Sequence, residues 1–169
     1  MYKLGIASTL VLAVVALLWL SSPIGDTAVS ANNRGLVYNN KGEYQKAIVA
    51  FNKAIELDPK LAIAYNNRGW AYIELGQYEK GITDCTKAIE LDPSLALAYN
   101  NRGWAYIELG QYEKGITDCT KAIELDPSLA MAYNNRGRAY IELGQYEKGI
   151  ADYTKAMELD PNLWSTMKK

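Results

Sequence analysis

Histidine is absent from all 169 residues. Its absence removes the commonest general base and the commonest transition-metal ligand. Cysteine occurs twice, which is too few for a disulfide framework or a zinc site. Phenylalanine occurs once, against 13 tyrosines. Neither sign of charge is in excess: 18 basic and 19 acidic side chains give a formal net charge of −1. These charges are interspersed, so there is no basic stripe for nucleic acid and no acidic tail. No glycine-rich phosphate loop follows a strand, no metal-ligand spacing occurs, and the N-x-[ST] glycosylation triplet is missing. The chain is therefore read as a non-enzyme without cofactor or metal.

What the chain does contain is one 34-residue block, repeated. The clearest copy, Ala62 to Leu95, reads AIAYNNRGWAYIELGQYEKGITDCTKAIELDPSL. The next, Ala96 to Leu129, differs from it only where Ile63 becomes Leu97. Ala130 to Leu163 keeps the frame with a few changes, and a looser copy runs from Ala28 to Leu61. The organisation is thus 28–61, 62–95, 96–129 and 130–163, between a leading segment 1–27 and a short extension 164–169. A fixed period of this length implies stacked supersecondary units.

Within a block the pattern predicts two helices. In the second copy Tyr65, Gly69, Tyr72 and Leu75 recur at helical spacing over 62–75, and Gly76-Gln77 interrupts them. Ile82, Cys85, Ala88, Ile89 and Leu91 mark a second helix over 78–91. Asp92-Pro93 ends that helix, because proline disfavours a helical conformation in the residue before it. Ser94 is expected to cap the next helix. Short turns make consecutive helices antiparallel neighbours. Gly76 and its counterparts fit the left-handed close of a first helix. Gly69 sits mid-helix, where close approach of its partner would offset the loss of propensity. Gly81, also mid-helix, marks either a contact too tight for a side chain or a locally soft helix. Cys85 and Cys119 occupy one position in consecutive repeats. Equivalent atoms of stacked helices lie about 9–10 Å apart, beyond the roughly 7 Å a disulfide allows, so two free thiols are expected.

Residues 1–22 differ from the rest. Lys3 precedes an uncharged apolar run, LGIASTLVLAVVALLWL, over 4–20. Three readings stand. It is a cleaved export signal with Val29-Ser30-Ala31 as the cleavage site, a membrane anchor at the lower limit of spanning length, or a buried structural helix. Cleavage after Ala31 would clip the first repeat. The first two readings agree on export, to the periplasm, the cell surface or the medium, with a membrane link only through residues 4–20 if they are retained.

The landmarks Tyr65, Arg68-Gly69, Tyr72, Gly81, Cys85, Ala88 and Pro93, with Ala47, Phe51, Ala54 and Pro59 in the first block, resemble the tetratricopeptide repeat. Arg68, Arg102 and Arg136 stand where that family usually has leucine, and Ala31 takes the first aromatic position of the first block. The resemblance implies an all-α fold, a right-handed solenoid of antiparallel helix hairpins, whose first helices line a concave face. It also implies protein binding as the common denominator. Asn33, Asn67, Asn101 and Asn135 match a ladder that grips peptide backbone in some relatives. An amide both donates and accepts, so it suits that task; it equally suits hydrogen bonds between repeats. Asn32, Asn66, Asn100 and Asn134 double the polar stripe. Trp70, Trp104 and Arg138, with Ile73, Ile107 and Ile141, are expected to give apolar footing, and Glu74, Glu108 and Glu142 a rim. For the tryptophans, packing between repeats is the competing reading. The chaperone-tail clamp of some relatives needs a lysine–asparagine pair where this chain has Asn32 and Leu36, and a lysine–arginine pair where it has Leu97 and Asn101; only Asn67 fits, so that mechanism is rejected. Asp84–Lys87 and Asp118–Lys121 read as pairs on one helix face, and Thr83, Thr86, Thr117 and Thr120 as outward-facing.

Two functions are carried forward. One is an exported or membrane-tethered scaffold that binds a peptide or partner protein in the groove. The other is a structural subunit that stacks head to tail into a filament, because nearly interchangeable repeats make a contact that does not close. The ends in question are Leu36 and Tyr38 at the front and Tyr153, Met157, Leu163 and Trp164 at the back.

Overall fold

The computed structural model describes residues 27–162. The apolar run of residues 4–20 and the C-terminal Leu163 and Trp164 lie outside the described residues. Among the described residues the chain forms eight helices and no strand: α1 Ala28–Asn40, α2 Tyr44–Leu57, α3 Ala62–Glu74, α4 Tyr78–Leu91, α5 Ala96–Glu108, α6 Tyr112–Leu125, α7 Ala130–Glu142 and α8 Tyr146–Leu159.

Local chemistry sets the helix ends. Gly76 adopts φ 70°, a left-handed conformation that costs glycine nothing. The turn lets Gly76 N–H reach Ile73 O at 2.8 Å and Gln77 N–H reach Tyr72 O at 2.9 Å, which satisfies carbonyls the helix end leaves open. After α4, Asp92 is extended ahead of Pro93. Ser94 does not cap α5. Its N–H and hydroxyl both donate to Asp92 Oδ1, at 2.9 and 2.6 Å, and α5 starts after Leu95 without a side-chain cap. These bonds hold the Asp92 carboxyl below the usual carboxylate range. Thr27 does cap α1, in a reciprocal box with Ser30 (3.1 and 2.9 Å).

Each hairpin packs on the next, and the first helices α1, α3, α5 and α7 also meet one another in succession, with no comparable contact between the second helices. The first helices therefore form the inner side of the curve. The seams between repeats are built from small residues. Ala71 is buried against Ala47 and Phe51, Ala105 against Ile73 and Cys85, and Ala139 against Ile107 and Cys119. Inside a hairpin the helices approach closely. A Cβ on Gly69 would lie 2.8 Å from Cys85 Sγ and 3.1 Å from Gly81 O, so the mid-helix glycine exchanges helix propensity for backbone proximity.

Candidate binding groove

The paired asparagines of the first helices form one continuous amide chain. Asn67 Nδ2 donates to Asn32 Oδ1, Asn101 Nδ2 to Asn66 Oδ1 and Asn135 Nδ2 to Asn100 Oδ1, each at 3.0 Å. Within a repeat, Asn66 Nδ2 donates to Asn67 Oδ1 at 3.2 Å and Asn100 Nδ2 to Asn101 Oδ1 at 3.3 Å. The members from Asn32 to Asn135 are buried. Only Asn33, at the front of the series, is exposed. The ladder at Asn67, Asn101 and Asn135 thus joins repeat to repeat, and its amides are engaged with one another.

The surface beside the ladder is more open. Asn66, Asn67, Trp70, Leu97, Asn100, Asn101 and Met131 line one concavity of about 210 Å³. Leu97 and Met131 are 42% and 43% exposed, and Val29 and Ile63 hold the same place in the first two repeats. This apolar column is not among the groove residues expected from the sequence. Its signal was present: the single difference between the second and third blocks falls there.

Ile73 and Ile107 require correction as groove residues. They are 2% and 3% exposed and fill the space opposite Gly81 and Gly115, so they belong to the hairpin core. Trp70 and Trp104 are half-buried at the inner face. Trp70 meets Tyr44 of the preceding repeat edge-on, ring centroids 6.0 Å apart. Trp104 Nε1 donates to Glu108 Oε1 at 2.9 Å, and Arg138 Nη2 donates to the same oxygen at 2.7 Å. Tyr44 Oη donates to Glu74 Oε2 at 3.2 Å, and burial together with this carboxylate raises the Tyr44 pKa. The expected rim glutamates therefore include two that brace neighbouring repeats.

The Asp84–Lys87 reading is also corrected. Lys87 pairs with Glu90 at 3.0 Å, whereas Arg68 forks onto Asp84 through Nε and Nη2 at 2.6 and 2.7 Å. Arg102–Asp118 and Arg136–Asp152 repeat the fork. The remaining arm of Arg102 reaches back to Thr86 Oγ1 of the previous repeat at 3.1 Å, and that of Arg136 to Thr120 Oγ1 at 3.1 Å. Thr86 and Thr120 are thus half-buried joints rather than outward surface. Arginine replaces the family's leucine because aspartate sits opposite it, and the bidentate geometry suits guanidinium alone. Each guanidinium also lies over a tyrosine, Arg68 5.5 Å from the Tyr65 ring.

At the ends of the stack, Leu36 and Met157 are exposed. Tyr38 packs on Ala47 and Phe51 inside its own repeat, and Tyr153 lies against Gly137 within the last hairpin; neither is a free end surface. Tyr146 and Ile150 on α8, 62% and 60% exposed, are the larger apolar surface there. A second concavity, about 470 Å³, lies away from the groove on the first repeat, lined by Arg34, Lys46 and Lys53 where Ala50 replaces the later aspartates. Among the described residues no group of three His, Cys, Asp or Glu side chains gathers.

The profile described as "Tetratricopeptide repeat" matches residues 62–95, 96–129 and 130–163, and one described as "TPR repeat" matches 35–76. No curated protein sequence matches. Among solved structures the chain is similar to the first TPR of Spaghetti (RPAP3) bound to the HSP90 peptide SRMEEVD, with 29% identity over 69% of this chain and 93% of that one and a TM-score of 0.66. It is similar to the second TPR domain of human RPAP3 in complex with the HSP70 peptide SGPTIEEVD, with 31% identity over 66% and 93% and a TM-score of 0.63. It is also similar to MamA from Desulfovibrio magneticus RS-1, with 27% identity over 80% and 77% and a TM-score of 0.68. No catalytic family is indicated. With its repeated hairpins, matched profiles and inner first helices, this chain belongs to the tetratricopeptide repeat family.

Proposed function

We propose that the array is a protein–protein interaction scaffold that holds an apolar peptide segment with basic flanks along its inner face. The observation that carries this is the concavity of Trp70, Leu97 and Met131 over the amide floor, with two large apolar side chains left more than two-fifths exposed. The RPAP3 domains hold peptides ending in acidic residues. Here the first helices contain no lysine, the arginines at 68, 102 and 136 are taken by aspartates, and Glu74, Glu108 and Glu142 outnumber Arg138. That charge balance disfavours an acidic tail and suits an apolar or basic one. Selection from a displayed random-peptide library tests this. Enriched peptides are expected to carry apolar anchors and to lose at least tenfold in affinity on Leu97→Glu with Met131→Glu, while SRMEEVD does not bind. Failure to enrich any sequence, or enrichment of acidic tails, would reject the reading.

Residues 4–20 are proposed to export the chain and to remain as its tether. Ala31, the residue at the candidate cleavage site, is fully buried in the first repeat, and cleavage there would remove the Thr27–Ser30 box. An accumulated protein of full mass, 18.8 kDa, in the membrane fraction is expected; a soluble chain beginning at Asn32 would exclude it. A second reading, end-to-end stacking of copies, is favoured by the exposed Tyr146 and Ile150 on α8, the last described helix.

A further inference from the structure

The amide series leaves one acceptor and one donor position unpaired, at opposite ends of the described array. At every interior seam the asparagine of one repeat donates to the asparagine 35 residues earlier. The last acceptor in the series is Asn134, whose side chain is 5% exposed and whose Oδ1 is shut off from solvent with no hydrogen-bond partner. The first donor position is Asn33, which is exposed and makes no side-chain hydrogen bond among the described residues.

The apolar seam is open in the same register. Tyr44 and Ile48 pack around Ala71, Tyr78 and Ile82 around Ala105, and Tyr112 and Ile116 around Ala139, with Trp104 joining the middle cluster. The fourth pair, Tyr146 and Ile150, is exposed, as is Met157 at 43%. At the front, Val37 stands where these alanines stand and is 52% exposed.

We infer that a second copy of this chain docks head to tail on α7 and α8, with Val37 entering between Tyr146 and Ile150 and Asn33 Nδ2 donating to Asn134 Oδ1, which a turn of the Asn134 amide brings to the docking face. This rests on the end-stacking reading above and gives it residues and a polarity. A head seated on a tail leaves one head and one tail free, so the contact propagates.

Sedimentation velocity of the full chain in one mild-detergent buffer tests the joint, with far-ultraviolet circular dichroism as the check on folding. The unaltered chain is expected to grow in mass with concentration. Val37→Glu blocks only the head and Ile150→Glu only the tail, so each alone stays monomeric. Their equimolar mixture forms dimers and nothing longer, because one supplies a tail and the other a head. Asn33→Ala and Asn134→Ala each weaken association by roughly tenfold, about what one hydrogen bond contributes. Association that persists unchanged in all four variants would place the contact elsewhere, overturning this joint while copies still stack. A full chain that stays monomeric at every concentration would overturn both. If that monomer associates once shortened to residues 1–162, its own C-terminal segment, not a second copy, fills the open end.

Discussion

Gly81 in α4 lies so close to Ile73 in α3 that a Cβ on the glycine would overlap Ile73 Cγ1 and sit 3.0 Å from the Gly69 carbonyl oxygen. The glycine is thus a contact residue and not a soft point in the helix. Gly81→Ala gains about 1 kcal/mol of helix propensity but overpacks a seam where extra atoms cost about 1–3 kcal/mol. Because a carbonyl oxygen as well as a side chain is in the way, urea unfolding is expected to show a net loss of stability, repeated at Gly115→Ala. A stabilised Gly81→Ala would mean the hairpin opens without cost.

The first repeat solves the same seam differently, and less well. Ala47 replaces the glycine and Asn39 replaces the isoleucine. Asn39 is 3% exposed, and both its Nδ2 and Oδ1 lack a partner. Installing the pair found in later repeats, Asn39→Ile with Ala47→Gly, removes a buried unpaired amide that costs about 1–3 kcal/mol. The double variant is expected to unfold at higher urea than the parent, and Asn39→Ile alone to gain less, since the Ala47 methyl occupies the space of the larger side chain. Equal midpoints for parent and double variant would show that the amide is not a burden.

Arg102 and Asp118 form a bidentate pair with side chains 18% and 9% exposed. Burial and the carboxylate act on the guanidinium in opposite directions, and the hydrogen bond to Asp118 prevails, raising its pKa. Arg102→Met leaves Asp118 buried and uncompensated, a loss of up to about 3–5 kcal/mol. Arg102→Leu with Asp118→Ala removes both charges and is expected to recover most of that loss. Arg102→Lys keeps the charge but not the fork, and falls between. A double variant as unstable as the single one would show that the arginine acts through its contact with Thr86 instead.

The repeat frame made the helices, their ends and their antiparallel pairing readable from the chain, because Gly76 and Asp92-Pro93 act locally. The groove was only partly readable. Ile63, Asn66, Trp70 and Glu74 follow one helical stripe, whereas Ile73 lies about 100° round from Glu74 and so faces the hairpin partner. Hydrophobicity alone does not distinguish Ile73 from a groove residue; its angle on the helix does. Whether the asparagines would bind each other or a ligand depends on the distance between repeats, and no single repeat contains that information. The Arg68–Asp84 fork joins residues sixteen apart on two helices, whereas Lys87 is nearer to Asp84 along the chain and pairs elsewhere.

Cys85 and Cys119 are fully buried free thiols, and burial, aided by a neighbouring aspartate, raises both pKa values, that of Cys119 from an ordinary 9.0 to about 12. Folding therefore favours the protonated thiol. Below pH 9 both states keep the proton and the native advantage is complete. Between about pH 9 and 12 the unfolded chain releases it while the native state does not, so stability falls by up to about 1.4 kcal/mol per pH unit for each thiol. Comparing the parent with Cys85→Ala and Cys119→Ala isolates this slope, since every other side chain is common to all three proteins. The parent is expected to lose stability more steeply from pH 9 to 11 than either variant. Both thiols should also resist iodoacetamide at pH 8 until the chain unfolds, because the reactive species is the thiolate. Parallel slopes together with labelling of the native protein would show that the seams open far more often than their packing implies.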